Sequence, residues 1–336
     1  MPLQVDKRFA ALVLLGLPLV FFAQDKPDRP PWAQPGGAPQ SKPPDSTTKI
    51  PDKNTESSSP RGTVKINVNL VNVLVSVLDD HNRPAPDLPV EAFQIYEEGV
   101  QQKIDVFESE TKLPLDIALM LNASVSMRLE MATERAAASQ FIQQVLRPDD
   151  RLAIFAMDRD VEQVTPFSSR VPELQDAVRK ISTQWGIALN DAVYRGSQAL
   201  ERQGSDRRKV IVLLTDAREA SSHYDFEAAR KAAVRSGVLL YTIVIRVVNN
   251  ENGRNTAGEH ALQTITETTG GAMFFPDSAQ ELPVIFDRIN NELRTQYRLA
   301  YYPNPHGPAN TYRTIEVKVL PGYTARHRTT YLTGPQ

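Results

Sequence analysis

The sequence predicts a doubly wound, mainly parallel α/β domain that is inserted in a small β-domain. Two observations support this prediction. In the middle of the chain, almost continuously apolar runs alternate with amphipathic helical patterns, which is typical of a parallel sheet covered on both faces. On either side of this region, apolar residues alternate with polar ones at a period of two, which indicates half-buried strands.

The first 62 residues are expected to lie outside the folded part. Lys7 and Arg8 precede an uncharged and mainly apolar run at residues 9–23, which matches a secretory signal and is shorter than a bilayer-spanning helix. We therefore assign residues 1–23 to a signal peptide, with an uncleaved membrane anchor as the alternative. Nine of the 25 prolines lie in residues 24–62, which predicts a disordered, proline-rich tether.

The two flanks of the α/β region are expected to form one β-domain, built from residues 64–112 and 296–333. A strand is predicted over residues 64–78, with a bulge or break near Leu70 because the apolar phase slips there by one residue. The other strands of the flanks are predicted at residues 93–96, 103–107, 297–301 and 315–319, with a turn at Glu98-Gly99.

The α/β domain is assigned to residues 113–295. Its strands are predicted at residues 115–121, 152–155, 161–167, 210–214, 238–245 and 272–275. Its helices are predicted at residues 128–146, 172–181, 191–202, 226–235, 260–268 and 282–293. The strand at 161–167 follows its predecessor so closely that we expect antiparallel pairing at the sheet edge.

Ligands of an open parallel sheet collect at the carboxyl ends of its central strands, and three loops leave the sheet there. These loops are Asn122-Ala123-Ser124-Val125-Ser126, Trp185-Gly186-Ile187-Ala188-Leu189-Asn190-Asp191 and Thr215-Asp216. They resemble the loops of the von Willebrand factor A (VWFA) domain, in particular those of exported bacterial VWFA-related proteins. Landmarks at residues 75–107, 297–303 and 312–319 extend the resemblance to roughly residues 64–332.

The resemblance implies a metal-ion-dependent adhesion site, in which serine, threonine and aspartate oxygens bind Mg²⁺. Ser124, Ser126 and Asp216 match the family's ligands, but Asn122 stands at an aspartate position and Ile187 at the threonine position. One carboxylate would then face a dication with a hydroxyl missing. We therefore predict a degenerate site without a cofactor, with weak Mg²⁺ binding as the alternative. The two serines would then cap the helix that follows them.

The second loop also supplies candidates for a partner-binding face: Trp185, Ile187 and Asp191. Trp185 replaces a glycine of the family at the rim of the site. Two interpretations of this tryptophan stay open, since an aromatic side chain in this place is either part of the core or an anchor for a partner.

Composition and motifs exclude several functions. With 38 Lys plus Arg against 40 Asp plus Glu, the chain lacks the basic surface that nucleic-acid binding needs, and zero cysteine excludes disulfides and thiolate chemistry. Neither a Gly-x-Ser-x-Gly elbow nor a phosphate-binding Gly-rich loop is present. His223, Asp225 and Glu227 could serve an enzyme, but we interpret them as a solvated loop and helix start. The charge run at residues 207–209 is likewise expected to be a solvated loop.

The sequence therefore predicts an exported, non-catalytic module for protein binding or adhesion. Its partner would be a protein or a surface polymer, in the periplasm or at the cell surface. Membrane contact is expected only through an uncleaved N-terminus. The alternatives are a structural scaffold of the cell envelope and, with least support, a hydrolase that uses the His223 region.

Overall fold

The computed structural model describes residues 70–109, 112–245 and 255–334. The signal peptide and tether assigned above lie outside the described residues, as do residues 64–69 of the first predicted strand. The strands are β1 Val71–Leu78, β2 Gln94–Glu97, β3 Val100–Gln102, β4 Val106–Glu108, β5 Leu115–Asn122, β6 Arg151–Met157, β7 Val161–Gln163, β8 Arg208–Thr215, β9 Leu239–Val244, β10 Met273–Phe274, β11 Tyr297–Tyr301, β12 Tyr312–Lys318, β13 Thr324–His327 and β14 Thr330–Leu332.

The helices are α1 Met131–Val145, α2 Val171–Lys180, α3 Leu189–Glu201, α4 Phe226–Ser236, α5 Thr256–Thr269 and α6 Leu282–Arg294. Each of the six helices predicted for the α/β domain is present, and their ends differ from the predicted ones by a few residues. None of these six helices combines the length and the apolar composition that crossing a bilayer requires.

The α/β domain is built on a six-stranded sheet in the order β10-β9-β8-β5-β6-β7. All of its pairs are parallel except β6 with β7, which is antiparallel as predicted. From the central strand β5 the chain continues to β6 on one side and later returns to β8 on the other. The strand order therefore reverses at β5, and such a switch point opens a crevice at the carboxyl ends of the strands.

Burial explains why the strands of this sheet read as continuous apolar runs. Every residue of β5 and β9 is buried, since helices cover both faces. On one face α1, α2 and α6 pack around Phe141 and Phe286, whose rings stack with centroids 4.5 Å apart. On the other face, α3, α4 and α5 pack against a second apolar cluster. The predicted fold class, a doubly wound and mainly parallel α/β architecture, is confirmed.

The flanking strands form two four-stranded sheets, ordered β13-β1-β11-β4 and β14-β12-β2-β3. In the first sheet β1 lies antiparallel between β11 and β13, and in the second β12 lies antiparallel between β14 and β2. The two sheets share one apolar core that includes Val73, Ile95, Tyr297 and Ile315. Both flanks thus contribute strands to each sheet.

The predicted strand at residues 103–107 is wrong in its bounds. The turn at Glu98 and Gly99 has positive φ values of 49° and 77°, as a two-residue hairpin turn requires. The chain therefore returns at once as β3, which pairs with β2, and residues 103–105 lead to β4 in the other sheet. Glycine suits position 99 because residues that carry a side chain rarely adopt this left-handed backbone conformation.

The charge run at residues 207–209 is not the solvated loop that the sequence suggested. Arg208 begins β8 and is buried, where it donates hydrogen bonds to the carbonyl oxygens of Leu113 and Leu293. Arg207 reaches the buried carboxylate of Asp116, with Nε 2.8 Å from Oδ1. A second guanidinium, from Arg151, lies 2.7 Å from the other oxygen of Asp116. The two arginines are drawn toward the core because their guanidinium groups have oxygen partners at the amino ends of the strands, while Lys209 is half-buried.

Candidate functional site

The first and second loops meet at the carboxyl edge of the sheet. The backbone N–H of Gln184 donates to the carbonyl of Ala123 at 2.8 Å, and the N–H of Val125 donates to the carbonyl of Gln184 at 2.9 Å. This short parallel bridge extends the pairing beyond β5. It holds the residues that follow Gln184 beside the serines that follow Asn122.

The third loop, which leaves β8, is bound to the second by backbone and side-chain hydrogen bonds. The carbonyl of Ile187 accepts from the N–H groups of Ala220 and Ser221, each at 3.1 Å. The carboxylate of Glu219 accepts from the N–H of Asn190 at 2.9 Å. All three loops predicted to surround a site therefore lie at one edge of the sheet.

Four of the predicted site residues form a continuous hydrogen-bonded chain. The side-chain oxygen of Asn122 accepts from the N–H of Ser124 at 2.9 Å, and the hydroxyls of Ser124 and Ser126 lie 2.6 Å apart. Ser126 donates to Oδ2 of Asp216 at 2.8 Å. The Asn122 amide nitrogen is buried without a hydrogen-bond partner. The structure thus brings together Asn122, Ser124, Ser126 and Asp216.

The prediction that the two serines cap a helix with their side chains is wrong. Ser124 precedes a short 3₁₀ helix, Val125–Met127, and makes no side-chain capping bond, while α1 begins only at Met131. The reason is the nearby carboxylate of Asp216. An ionised oxygen is a stronger acceptor than a neutral one, so it orients the Ser126 hydroxyl toward itself, and the Ser124 hydroxyl bonds to Ser126 in turn.

The guanidinium of Arg218, which the sequence analysis did not single out, forms an ion pair with the carboxylate of Asp216. Nε and Nη2 of Arg218 are each 2.8 Å from Oδ2 of Asp216, and the N–H of Arg218 lies 3.3 Å from Oδ1. The Asp216 side chain is 4 % exposed, whereas that of Arg218 is 50 % exposed. Between them Ala217 has a φ of 59°, a turn that folds Arg218 back over Asp216. The spacing Asp-x-Arg is the one sequence signal for this pair.

Two of the three predicted binding-face residues are buried, which corrects that expectation. Ile187 is packed in the apolar cluster beneath the second loop. Asp191 is fully buried, and its carboxylate accepts from the N–H groups of His223 and Tyr224 at 2.8 and 2.9 Å. Both side chains organise the loops from below. Burial of the apolar Ile187 is favourable in itself, whereas burial of the Asp191 carboxylate is tolerated because amide N–H groups satisfy its oxygens.

Trp185 is exposed, which excludes one of the two interpretations of this residue. Its side chain is 81 % accessible, so it is not part of the core. Leu129, in the segment between the first loop and α1, is also exposed, at 86 %. The carboxyl edge of the sheet therefore presents large apolar side chains on two of its segments.

Glu134, on the first turn of α1, is a buried carboxyl group that sequence analysis missed. It is 1 % exposed, and neither of its oxygens has a hydrogen-bond partner among the described residues. Burial raises its pKa to about 8, and the negative charges of Glu130 and Asp216 contribute to this rise. Its spacing from Ala137, Ala138 and Phe141 on the buried helix face was the available signal.

The residues considered for an enzyme do not come together. His223 Nδ1 lies 3.0 Å from Oδ2 of Asp191, while Asp225 caps α4 by accepting from the N–H of Ala228 at 2.7 Å. Glu227 pairs with Arg230 on the surface of α4, with oxygen and nitrogen 2.8 Å apart. Each carboxylate thus has a local partner, as expected for a loop and helix start.

Comparison with known families bears on the three loops directly. Residues 117–219 match the von Willebrand factor type A domain family, and this range includes every residue of the hydrogen-bonded chain around Asp216. The α/β domain is a VWFA-related domain, called the VWFA domain from this point. No curated protein sequence matches the chain.

The solved structures that match this chain include the following three. The von Willebrand factor type A protein from Catenulispora acidiphila is 11 % identical, with a TM-score of 0.48, and the match covers 81 % of this chain and 76 % of that one. BatB from Bacteroides thetaiotaomicron is 17 % identical, with a TM-score of 0.43 and coverage of 54 % and 100 %. The vWF domain of the type V pili tip protein Mfa5 from Porphyromonas gingivalis is 13 % identical, with a TM-score of 0.44 and coverage of 54 % and 95 %.

The oxygen donors of this VWFA domain do not fit Mg²⁺ well. Ser124, Ser126 and Asp216 supply two hydroxyls and one carboxylate, and Ile187, which stands where the family resemblance implies a threonine, is a buried hydrocarbon without an oxygen to donate. The carboxylate already binds the guanidinium of Arg218. Mg²⁺ demands near-octahedral oxygen coordination and charge compensation, and this arrangement lacks donors and already contains a cation.

Proposed function

We propose that this chain is an exported, non-catalytic protein-binding module that engages another protein or a surface polymer without a metal ion. Its binding face would be the carboxyl edge of the six-stranded sheet. The observation that carries the proposal is the guanidinium of Arg218, with two nitrogens 2.8 Å from the same oxygen of Asp216. A protein cation here takes the place in which a metal ion would compensate the carboxylate.

Charge and coordination support a metal-free site. A guanidinium is a fixed cation in proteins, and it repels a dication strongly at contact distance. Asn122 carries no charge to offset this repulsion, and its oxygen already accepts from the Ser124 N–H. Binding Mg²⁺ would therefore require displacing Arg218 as well as supplying the oxygen that Ile187 lacks.

The exposed surface supports a role in binding. Trp185 is held at the rim by the backbone bridge at Gln184, and its ring is free to contact a partner. Tryptophan and arginine are the residues most enriched among the side chains that dominate binding energy at interfaces. Trp185 and Arg218, on the second and third loops, would supply one of each.

The chemistry of the same edge supports a non-catalytic role. Ser126 donates to a carboxylate rather than to a base that would activate it, and Asp216 is itself paired with Arg218. In the described residues His223 has Asp191 as its partner and no serine within hydrogen-bond distance. Export is supported by the apolar run at residues 9–23 that follows Lys7 and Arg8.

Calorimetric titration with MgCl₂ tests the metal-free site. We expect the wild-type chain to show no binding below about 1 mM Mg²⁺, and the variant Asn122→Asp/Ile187→Thr/Arg218→Ala to gain binding and a rise in melting temperature. The matched control is Asn122→Asp/Ile187→Thr, which keeps Arg218 and should bind at least about tenfold more weakly than the triple variant. Clear binding by the wild type would contradict the proposal.

Capture of partners from an envelope extract tests the binding face. We expect capture to be insensitive to chelator and to fall at least about tenfold in affinity for Trp185→Ala, since buried tryptophan anchors contribute on the order of 2 kcal/mol or more. Val284→Ala, at an exposed apolar position on α6, is the control and should leave capture unchanged. Unchanged capture by Trp185→Ala would favour the alternative, a scaffold that makes its contacts through the edges of the β-domain.

A further inference from the structure

A second candidate site lies at the opposite end of the VWFA domain, where the amino ends of β8 and β9 meet the β-domain. A cavity of about 470 Å³ opens there. Its polar lining includes Arg207, Arg208, Lys209, Arg298 and Arg328, and among the described residues that line it Asp206 is the single acid. The lining is therefore strongly cationic.

Two of these guanidinium groups have no carboxylate partner in the described part of the chain. Arg208 is buried and donates to the carbonyls of Leu113 and Leu293 and to Oε1 of Gln296 at 3.3 Å. Burial and the nearby Arg294 lower its pKa to about 10, so it stays charged at neutral pH. Neutral acceptors thus satisfy its hydrogen bonds, and the nearby carboxylate of Asp150, which favours the charged form of Arg208, is itself paired with Arg294.

Arg328, on the side of the β-domain, is half-buried and also lacks a carboxylate partner among the described residues. Its Nη2 donates to the carbonyl of Asn72, and its guanidinium carbon lies 5.5 Å from the centre of the Tyr331 ring. Its Nε is buried and has no hydrogen-bond partner. Arg208 is buried and Arg328 is half-buried. A charge withdrawn from water without a counter-charge is costly, and retaining two such charges at one cavity is unusual unless an anion can reach them.

The remaining cations and the apolar part of the lining define the ligand further. Arg298 lies 3.4 Å from Glu108, and Arg207 shares Asp116 with Arg151, so these cations are compensated in part. Half-buried leucines complete the wall at positions 70, 74 and 113. A ligand that fits has two negative charges at one end and an apolar body.

We propose that this cavity binds a small organic phosphate, with the phosphate dianion between Arg208 and Arg328 and the apolar body against the leucines. Guanidinium groups suit this ligand because their fork of donors matches phosphate oxygens. The dianion would compensate the two unpaired charges, and Nε of Arg328 would find an acceptor. This site is distinct from the face around Asp216, so it does not depend on the function proposed for that face.

Titration calorimetry of the full chain with phenyl phosphate tests the proposal. We expect a Kd below about 1 mM for phenyl phosphate, weaker binding of benzoate and of inorganic phosphate, and no binding of phenol. Arg328→Gln should weaken phenyl phosphate binding at least about tenfold, as loss of a charge-assisted hydrogen bond does. Lys231→Gln removes the same charge from the exposed surface of α4 and should change nothing.

A second variant keeps the test decisive if Arg328→Gln fails to fold. Lys209 is half-buried at the cavity and forms no ion pair within the described residues, so Lys209→Gln should fold and should also weaken binding, by about threefold or more. Equal binding of phenol and phenyl phosphate, no binding of either, or an equal loss in Lys231→Gln would each overturn the proposal.

Discussion

Single charged residues decide the chemistry at both ends of the VWFA domain. At the carboxyl edge Arg218 compensates Asp216, and the nearby Glu134 is buried with both oxygens unpartnered. At the amino ends Asp116 is a fully buried carboxylate between Arg151 and Arg207. A buried charge stabilises or destabilises a fold according to its partners, and these residues represent both cases.

Replacing Glu134 with glutamine is expected to stabilise the protein above neutral pH. The folded-state pKa of Glu134 is raised to about 8 from its ordinary value near 4.5. Its contribution to stability is therefore fully present below about pH 4.5 and is lost as the pH rises to about 8. Glutamine has nearly the same shape and does not ionise, so Glu134→Gln should gain several kcal/mol of unfolding free energy at about pH 9.

Urea unfolding at about pH 5 and about pH 9 measures this difference. Glu173→Gln, at an exposed position on α2, is the matched control and should keep the wild-type pH dependence. If the Glu134→Gln variant lost as much stability between the two pH values as the wild type does, the raised pKa of Glu134 would not be the cause of that loss.

At the scale of elements, the second loop depends on a close backbone approach. Gly186 has a φ of 106°, and a Cβ at this position would lie 2.7 Å from Cα of Arg159 in the segment between β6 and β7. The chain can therefore pass Arg159 only without a side chain at residue 186. This passage leads from the exposed Trp185 directly to the buried Ile187.

Gly186→Ala is expected to destabilise the protein more than Gly99→Ala does. Gly99 also has a positive φ, of 77°, but a Cβ there meets nothing within 4 Å. Gly99→Ala should therefore cost about 1 kcal/mol of unfolding free energy from backbone strain alone, and Gly186→Ala at least about 2 to 3 kcal/mol because the Arg159 backbone must shift. Chemical denaturation of both variants checks this, and equal losses would contradict the steric argument.

At the scale of the molecule, the β-domain depends on both flanks of the chain. Glu97, on β2, is buried and accepts from the hydroxyl of Tyr331 at 3.2 Å, and it pairs with Arg313 of β12. The carbonyl of Ala85 accepts from the Tyr297 hydroxyl at 2.7 Å. These bonds join residues that are more than 200 positions apart in the sequence.

Ending the chain at residue 295 is expected to unfold the first flank. Without β11 and β13, β1 loses both of its neighbours, and without β12, β2 keeps only β3. An isolated hairpin is at best marginally stable. Hydrogen exchange should show fast-exchanging amides in β1 and β2 of the shortened chain, against slow exchange there in the full chain. Protected β1 amides after truncation would show that this flank folds by itself.

Much of this organisation could be predicted from local patterns. The runs at β5 and β8 are apolar on both faces, which only a covered parallel sheet accommodates, and the loops that follow them had to meet because parallel strands end at one edge. The grouping of Asn122, Ser124, Ser126 and Asp216 followed from this topology. The departure of Ile187 from the VWFA pattern was also visible in the sequence.

What the sequence by itself determined is therefore the fold class and which loops share an edge, because periodicity records which faces are buried. Only the tertiary structure decided that Arg218 lies on Asp216, that Asp191 is buried, and that Arg208 is a core residue rather than part of a solvated run. The physical reason is that the energy of a charge depends on burial and on partners. Those partners, such as Leu293 for Arg208, come from distant parts of the chain, and periodicity contains no record of them.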